Sequence, residues 1–365
     1  MNNRIISSLI LFLFVSPMII AQDYVAMAKP RGSKAWGYIN EKGEWLVDPE
    51  YRTCYPFSED GWAPIYRRTQ GGYFFINTKN ERLSVGIEKF DLLKIGVKEI
   101  MAYGYSMERF PIISFDEGFC PVLLKGKWGF INRKGVLVHE PKYDRINPFN
   151  GGVATAVEGK DYYILHEDGK EIKVETEIVM LKEFSDGLAV YKDKSRLAGY
   201  LDKNGNVAIV PQFESLGPFV DGLAWAKDPK TSQVGFIDKK GKWAIKPRFD
   251  LASKFDSKAG LARVKNGGKW MYVNTEGETV DLDIDTDIYS KFKDGLAKGQ
   301  RNGKFGFYNN KGEWVIQPQY DAFGIYNAGY VPAEQKKRWG ILDSKGNWVT
   351  EPTFEMIKKV IPLKK

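Results

Sequence analysis

Lysine recurs at one position of a repeated turn, and this basic pattern is the main candidate for binding chemistry in the sequence. Five of these lysines directly precede a glycine, and the sixth precedes Asn80. The six are Lys42, Lys79, Lys134, Lys240, Lys311 and Lys345. Ammonium groups aligned along one edge of a repeat array would attract an anionic partner. The alternative is that these lysines only keep exposed turns solvated.

Histidine and cysteine are too sparse and too scattered to predict a metal site. The sequence contains two histidines, His139 and His166, and two cysteines, Cys54 and Cys120. Zinc needs three or four ligands held close together. Both cysteines align with apolar residues of other repeats, so we expect free thiols in the core. No metal and no cofactor is therefore expected.

Alternating acids between residues 281 and 287 are the only candidate calcium ligands in the sequence. They are Asp281, Asp283, Asp285 and Asp287. An EF-hand loop beginning at Asp281 would need Gly at its sixth position and Glu at its twelfth, where Thr286 and Phe292 stand. The alternation favours a strand with one solvated face instead.

Motifs of known catalytic mechanism are missing. The sequence has no G-x-S-x-G, Walker A or H-E-x-x-H pattern. Ser290 and Lys293 fit S-x-x-K, but the companion motifs are absent. We therefore expect a protein that is not an enzyme. The remaining enzymatic alternative, action on glycans, would need a pair of carboxylates in one cleft, which sequence spacing does not reveal.

Overall charge is mildly basic. Lys and Arg total 54 and Asp and Glu total 46, which gives a formal net charge of +8 at pH 7. A surplus of this size favours anionic partners in general. It falls short of the dense basic patches that are typical of nucleic-acid-binding domains, so no specific nucleic-acid partner is predicted.

The first 21 residues have the pattern of a secretory signal peptide. Arg4 supplies a positive charge, an apolar run follows from Ile5 to Val15, and cleavage after Ala21 would leave Gln22 first. An uncleaved anchor is the alternative interpretation. We predict export, with a periplasmic, extracellular or cell-surface location. No later segment is apolar over the roughly 20 residues that a membrane-spanning helix requires.

Residues 22–365 are predicted to form one repeat domain with about nine copies of one unit. In each copy an aromatic or aliphatic residue precedes, by five residues, a turn glycine or Asn80. These positions are Tyr38, Phe75, Phe130, Ile164, Tyr200, Phe236, Tyr272, Phe307 and Ile341. Their spacing is 34 to 37 residues except for one step of 55, which predicts an insertion near residues 83–110. Six copies also carry a proline six residues after the glycine.

The chemistry of the unit predicts short antiparallel strands. Asn or Asp stands three residues before most turn glycines, a combination typical of a hairpin with a left-handed turn residue. Proline has no N–H to donate, so we expect it to end strand pairing. Each unit therefore reads as three strands and a loop. The glycine after the aromatic residue, for example Gly129, indicates close approach of a neighbouring backbone or side chain.

These residues resemble the WG-repeat family, named for a tryptophan-glycine pair. The pair is intact at Trp36-Gly37, Trp128-Gly129 and Trp339-Gly340, and the resemblance covers roughly residues 24 to 360. The second, fourth and seventh copies lack both the pair's glycine and the proline. All ten tryptophans occupy repeat positions, which favours core packing over a carbohydrate platform. The resemblance implies no catalytic activity and no fixed ligand.

The sequence therefore predicts an all-β tandem array. An open solenoid-like or superhelical arrangement is favoured because the first unit begins, and the last unit ends, with whole elements. The alternative is a closed propeller-like ring. The leading functional hypothesis is an exported binding or scaffold module for a protein or an anionic envelope polymer. A structural envelope component without a discrete ligand site is the second hypothesis, and a glycan-acting enzyme is the third.

Overall fold

The computed structural model describes residues 23–67, 72–83 and 114–364. Within these residues the regular structure is entirely β, with 35 strands in nine antiparallel sheets. The predicted signal peptide at 1–21 and nearly all of the predicted insertion near 83–110 lie outside the described residues. Each sheet is called a blade below, and its strands are called a, b, c and d in their order across the sheet; in the one three-stranded blade, blade 3, the strands are b, c and d.

The blades follow one another along the chain. Blades 1 to 3 contain β1 (Tyr24–Lys29), β2 (Trp36–Ile39), β3 (Trp45–Tyr51); β4 (Thr53–Cys54), β5 (Ala63–Arg67), β6 (Gly72–Ile76), β7 (Arg82–Leu83); and β8 (Phe119–Leu124), β9 (Lys127–Asn132), β10 (Leu137–Tyr143). Blades 4 to 6 contain β11 (Arg145–Ile146), β12 (Val153–Glu158), β13 (Asp161–His166), β14 (Glu171–Lys173); β15 (Ile178–Ser185), β16 (Leu188–Asp193), β17 (Ala198–Leu201), β18 (Val207–Phe213); and β19 (Ser215–Leu216), β20 (Ala224–Lys227), β21 (Val234–Ile237), β22 (Trp243–Phe249).

Blades 7 to 9 complete the chain. They contain β23 (Leu251–Ala252), β24 (Ala262–Asn266), β25 (Lys269–Val273), β26 (Thr279–Val280); β27 (Phe292–Lys293), β28 (Leu296–Arg301), β29 (Lys304–Tyr308), β30 (Trp314–Tyr320); and β31 (Ala322–Phe323), β32 (Tyr330–Gln335), β33 (Arg338–Asp343), β34 (Trp348–Phe354). The last strand, β35 (Met356–Pro362), belongs to blade 1, where it is strand a.

The two ends of the repeat array meet in blade 1, which closes the ring. Strand β35 pairs antiparallel with β1, with Val25 opposite Ile361 and Ala28 opposite Ile357. The all-β prediction is confirmed, and the architecture is the alternative, a closed ring: a nine-bladed β-propeller. The favoured open array was wrong because the segment after the last proline-containing strand is itself the strand that blade 1 lacks.

The prediction of three strands and a loop per unit was also wrong. The segment after each loop aromatic, expected to be a loop, forms strand a of the following blade. Thr53–Cys54 and Leu251–Ala252 each pair with the b strand of their own blade. Eight of the nine sheets have four strands, and the blade built from β8, β9 and β10 has three among the described residues.

Proline lies inside a strand rather than at its end. In blade 6, Phe236 pairs with Ile245 while Val234 pairs with Phe249, so strand d has two more residues than strand c over this stretch. Pro247 stands in this bulge, where no ladder hydrogen bond from its nitrogen is required. The d strand therefore continues for two residues beyond the proline.

The bulge explains the glycine of the tryptophan-glycine pair. A Cβ atom on Gly235 would lie 2.3 Å from the carbonyl oxygen of Ile245 and 2.8 Å from the nitrogen of Pro247. The same clash recurs at Gly37, Gly129, Gly199, Gly306 and Gly340. Blades without the proline have a d strand of two or three residues and carry Phe74, Tyr163 or Met271 instead of the glycine. Glycine and proline are thus required together.

The core consists of layers between adjacent blades. An aromatic side chain that follows strand a of one blade contacts the central aromatic of strand c in the preceding blade. Tyr38 and Phe57 have ring centroids 4.7 Å apart in an edge-on arrangement, and Phe236 and Phe255 are also 4.7 Å apart. Of the ten tryptophans, Trp128 is fully buried, Trp270 is exposed and the other eight are partly buried. The expectation of core packing is therefore met fully at Trp128 and only in part elsewhere.

Candidate functional site

Loops of two kinds share one face of the ring, which we call the turn face. The c–d turns of one blade contact the a–b loops of the preceding blade. Lys239 in the turn of blade 6 forms an ion pair with Asp186 of blade 5 at 2.9 Å, and Arg133 of blade 3 pairs with Asp60 of blade 2. The b–c turns lie on the opposite face, because successive strands of each blade are antiparallel.

All six predicted lysines lie exposed on the turn face. The turn has the predicted geometry: the side-chain oxygen of Asn40 accepts hydrogen bonds from the backbone nitrogens of Lys42 and Glu44, each at 3.0 Å, and Gly43 has a φ of +86°. Within the described residues, none of the six lysines forms an ion pair.

Ring closure changes how these lysines are arranged. They belong to blades 1, 2, 3, 6, 8 and 9, so five of them occupy consecutive blades across the closure. We call this group the lysine arc: Lys311, Lys345, Lys42, Lys79 and Lys134. Blades 4 and 7 carry Asp168 and Glu276 at the same position. The sequence predicts lysines aligned along one edge of the array, whereas the structure gives a curved basic sector, with acids at the same position in blades 4 and 7.

A recurring acid on the turn face was missed by the sequence analysis. The side chain of Glu117 in the a–b loop of blade 3 accepts hydrogen bonds from the backbone nitrogens of Gly151 and Gly152 in blade 4, at 2.8 and 2.9 Å. Asp256 of blade 7 accepts one from Gly295 of blade 8 at 2.9 Å. The acid before the Gly-Leu-Ala strand was the available signal. These carboxylates tie neighbouring loops together.

A second recurring acid ties blades together on the opposite face. It directly follows the loop aromatic, at Asp144, Glu214, Asp250, Asp321 and Glu355. Asp321 contacts Lys304 and accepts a hydrogen bond from the backbone nitrogen of Lys336 at 2.9 Å. The hydrogen bond from Lys304 is the main cause that lowers the pKa of Asp321. The spacing of Pro-x-aromatic-acid was visible in the sequence and indicates a structural role.

Both histidines tie adjacent blades rather than forming a reactive site. The buried His139 of blade 3 has its Nε2 atom 2.8 Å from the carbonyl oxygen of His166 in blade 4 and its Nδ1 atom 3.4 Å from Glu171. His166 in turn has its Nε2 atom 3.2 Å from the carbonyl oxygen of Lys203 in blade 5. The two cysteines are buried and free, as predicted.

Strands a surround the central lumen. One cavity of about 440 Å³ is lined by β35 and by the a–b loops of blades 2, 3 and 4. Residues of four blades can meet in one cavity only near the ring axis, so strands a are innermost. Carboxylates of Glu59, Asp60 and Glu117 line this cavity. Glu59 pairs with Lys364 at 3.1 Å, and the other two hold loop amides, so each carboxylate already has a partner.

The acids at 281–287 do not form a strand. Leu282 and Ile284 are buried and Asp281, Asp283 and Asp285 are exposed, so the predicted alternation holds in an irregular segment. In the part of the chain that the structure describes, no group of three or more potential ligands is placed to hold a metal ion. The same residues contain no helix long and apolar enough to span a membrane.

Comparison with known proteins identifies the repeat. The profile of the WG containing repeat matches residues 36–66, 128–162, 199–228, 235–270, 305–339 and 339–359, about half of the chain. No curated protein sequence matches the chain.

Solved structures share the fold at low sequence identity. A crystal structure described as that of the eukaryotic initiation factor is 10% identical, with a TM-score of 0.59 over 94% of this chain and 98% of that chain. Citrobacter koseri AztD is 10% identical, with a TM-score of 0.42 over 94% and 99% of the two chains. The first of these likenesses supports the fold, and neither indicates a ligand.

Proposed function

The chain belongs to the family of proteins built from WG-containing repeats, and from this premise we propose that it is an exported binding module whose turn face takes an anionic polymer. A propeller presents equivalent loops on one face, which suits a binding or scaffold role. The lysine arc is the observation that carries the proposal, because it places five exposed ammonium groups, none of them ion-paired with a described residue, on five consecutive blades of that face.

The arc favours an extended ligand over a compact one. Each lysine lies on a different blade, and the Debye length is about 8 Å at physiological ionic strength. Charges on separate blades therefore act together only on a ligand long enough to touch several of them. A flexible polyanion meets this requirement, and its binding should weaken as salt is added.

Export is supported by the position of the ring within the chain. The predicted cleavage after Ala21 falls just before β1, which begins at Tyr24. Every strand of the ring therefore lies in the segment that would remain after cleavage. Expression of the full chain in a bacterial host, followed by mass spectrometry of the periplasmic fraction, should give an N-terminus at Gln22. A chain that keeps residues 1–21 and stays with the membrane would contradict this part of the proposal.

A matched pair of variants tests the lysine arc. The first changes the five arc lysines to Gln. The second changes five exposed lysines of the opposite face to Gln: Lys34, Lys160, Lys230, Lys336 and Lys337. Both lose the same charge, and both should fold, since exposed lysines contribute little to stability.

Retention on a sulfated-polysaccharide column measures the outcome. We expect the arc variant to elute at clearly lower salt than the wild type, while the opposite-face variant changes little. Equal losses from the two variants would mean that only overall charge matters, and the lysines would then be solvated turn residues.

A further inference from the structure

Three more lysines gather at the mouth of the lumen, separate from the lysine arc. Lys293 ends β27 of blade 8, Lys359 lies in β35 of blade 1, and Lys254 follows β23 of blade 7. All three belong to strand a or to the residues just after it, and strand a runs toward the turn face in each of these blades. They therefore lie on the lumen wall close to the turn face.

A side chain of blade 9 connects two of these lysines. The Nζ atom of Lys293 lies 3.5 Å from the side-chain oxygen of Asn327. The side-chain nitrogen of Asn327 donates a hydrogen bond to the carbonyl oxygen of Val360 at 2.9 Å. Val360 directly follows Lys359. Blades 8, 9 and 1 are thus joined along the lumen wall, with Lys293 and Lys359 on either side of Asn327.

The nearby acids already have partners. Asp294 pairs with Lys258 at 3.6 Å, and Glu59 pairs with Lys364 at 3.1 Å. Lys254, Lys293 and Lys359 form no ion pair with any residue in the described ranges. The lumen wall therefore carries the positive charges of these three lysines, and no carboxylate of the described residues forms an ion pair with them.

The surroundings of Lys293 disfavour the charged form of its side chain. Burial is the main cause that lowers its pKa, and the neighbouring charges of Lys359 and Lys254 lower it further. Burial likewise lowers the pKa of Lys359, while the negative charges of Glu59 and Asp294 act in the opposite direction; Asp294 also acts in the opposite direction on the pKa of Lys293. Lys359 lines the lumen cavity and Lys293 is exposed, yet surrounding protein reduces the hydration of both ammonium groups. Like charges held together in this way destabilise a protein unless an anion joins them.

We propose that Lys254, Lys293 and Lys359 bind a small multivalent oxyanion, a compound with two or more phosphate or carboxylate groups, at the turn-face mouth of the lumen. Lys359 also lines the neighbouring cavity of about 440 Å³, but carboxylates of Glu59, Asp60, Asp116 and Glu117 line that cavity too. The anion is therefore assigned to the three lysines at the mouth and not to the interior of the cavity. The site is independent of polymer binding by the lysine arc, because no arc residue belongs to it.

Calorimetry on the chain without residues 1–21 tests the site with four probes at matched ionic strength. The probes are tripolyphosphate, citrate, inorganic phosphate and sodium chloride. We expect tripolyphosphate or citrate to bind and to raise the melting temperature, as any ligand that binds only the folded state does. Inorganic phosphate should bind much more weakly, and sodium chloride should have no effect. The stronger of the two multivalent probes identifies phosphate or carboxylate as the preferred group.

Two triple variants separate the lumen site from the general field of the protein. Changing Lys254, Lys293 and Lys359 to Gln should weaken binding of the stronger probe by at least about tenfold, which corresponds to about 1.4 kcal/mol. Without ligand, this variant should melt no lower than the wild type, because repulsion is removed. Changing the arc residues Lys42, Lys311 and Lys345 to Gln should leave oxyanion binding unchanged.

Three outcomes would overturn the proposal. The wild type could fail to bind either multivalent probe, the lumen variant could bind as tightly as the wild type, or both triple variants could lose affinity equally. Should the triple lumen variant fold poorly, Lys293→Gln alone replaces it under the same criteria. The polysaccharide column tests the lysine arc separately, so failure of one site is distinguishable from failure of the other.

Discussion

Gly235→Ala tests directly how each proline-containing blade is built. The added Cβ would lie 2.3 Å from the carbonyl oxygen of Ile245, whereas ordinary contacts begin at 3.4 Å. The d strand would have to move by about 1 Å, although the pairs Phe236–Ile245 and Val234–Phe249 hold it to strand c. Overpacking of this kind costs about 1–3 kcal/mol. Alanine recovers about 0.4–1 kcal/mol by stiffening the unfolded chain.

The net expectation is a loss of about 1–2 kcal/mol, or a fall in melting temperature of roughly 1–3 °C for a protein of this size. Thermal unfolding followed by tryptophan fluorescence measures it. Gly222→Ala is the matched control: Gly222 has a φ of +80°, and an added Cβ would meet nothing within 4 Å. Its cost comes from backbone strain alone, about 1 kcal/mol. A melting curve for Gly235→Ala that matches the wild type, or lies above that of the control, would refute the packing role.

Three further predictions follow from the ring. Deleting residues 356–365 removes β35, exposes the edge of β1, and should cause aggregation and a lower melting temperature, which light scattering and calorimetry will detect. Burial raises the pKa of Cys54 to about 12, so alkylation at pH 8 should be slow until the protein unfolds; rapid native labelling, or a bridge to Cys120, would contradict this. Asp321→Asn should lower stability at pH 7. The pKa of Asp321 is lower in the folded state than the 3.8 of the unfolded chain, so its carboxylate stabilises the fold above pH 3.8, and this stabilisation is lost as the pH falls through the folded-state pKa. Equal melting-temperature differences between variant and wild type at pH 7 and pH 2 would argue against it.

The turn geometry and the packing role of the glycine were predictable because they depend on residues that are close together in the sequence. The Asx-glycine turn needs a side-chain oxygen and a residue that tolerates positive φ, and both recur at fixed spacing. Asn80, which replaces the glycine in the second copy, has a φ of +62°. The assignment of the pair's glycine to close packing is supported by the contacts of Gly235 with the proline bulge. The proline itself was misread, because a bulge removes the need for the missing N–H.

Ring closure was harder to predict because it depends on how units are joined rather than on what they contain. In the sequence Met356–Pro362 reads as the trailing loop of the last unit, and the equivalent segments Thr53–Cys54 and Ser215–Leu216 form strands of only two residues. The pairing of this segment with β1 shows that strand a of blade 1 follows strand d of blade 9, just as strand a of each other four-stranded blade follows strand d of the blade before it. No single repeat carries that information.

Closure also decides which basic residues are neighbours. In an open array, the turns of blades 8 and 9 would lie at the opposite end from those of blades 1 to 3. In the ring they are contiguous, and the same contact brings Lys359 of β35 near Lys293, 66 residues earlier in the chain. Both proposed anion-binding regions therefore depend on the junction between β35 and β1. A folded but opened ring would keep every lysine and separate the groups that are proposed to act together, so the affinity for anions should depend on closure and not on lysine content.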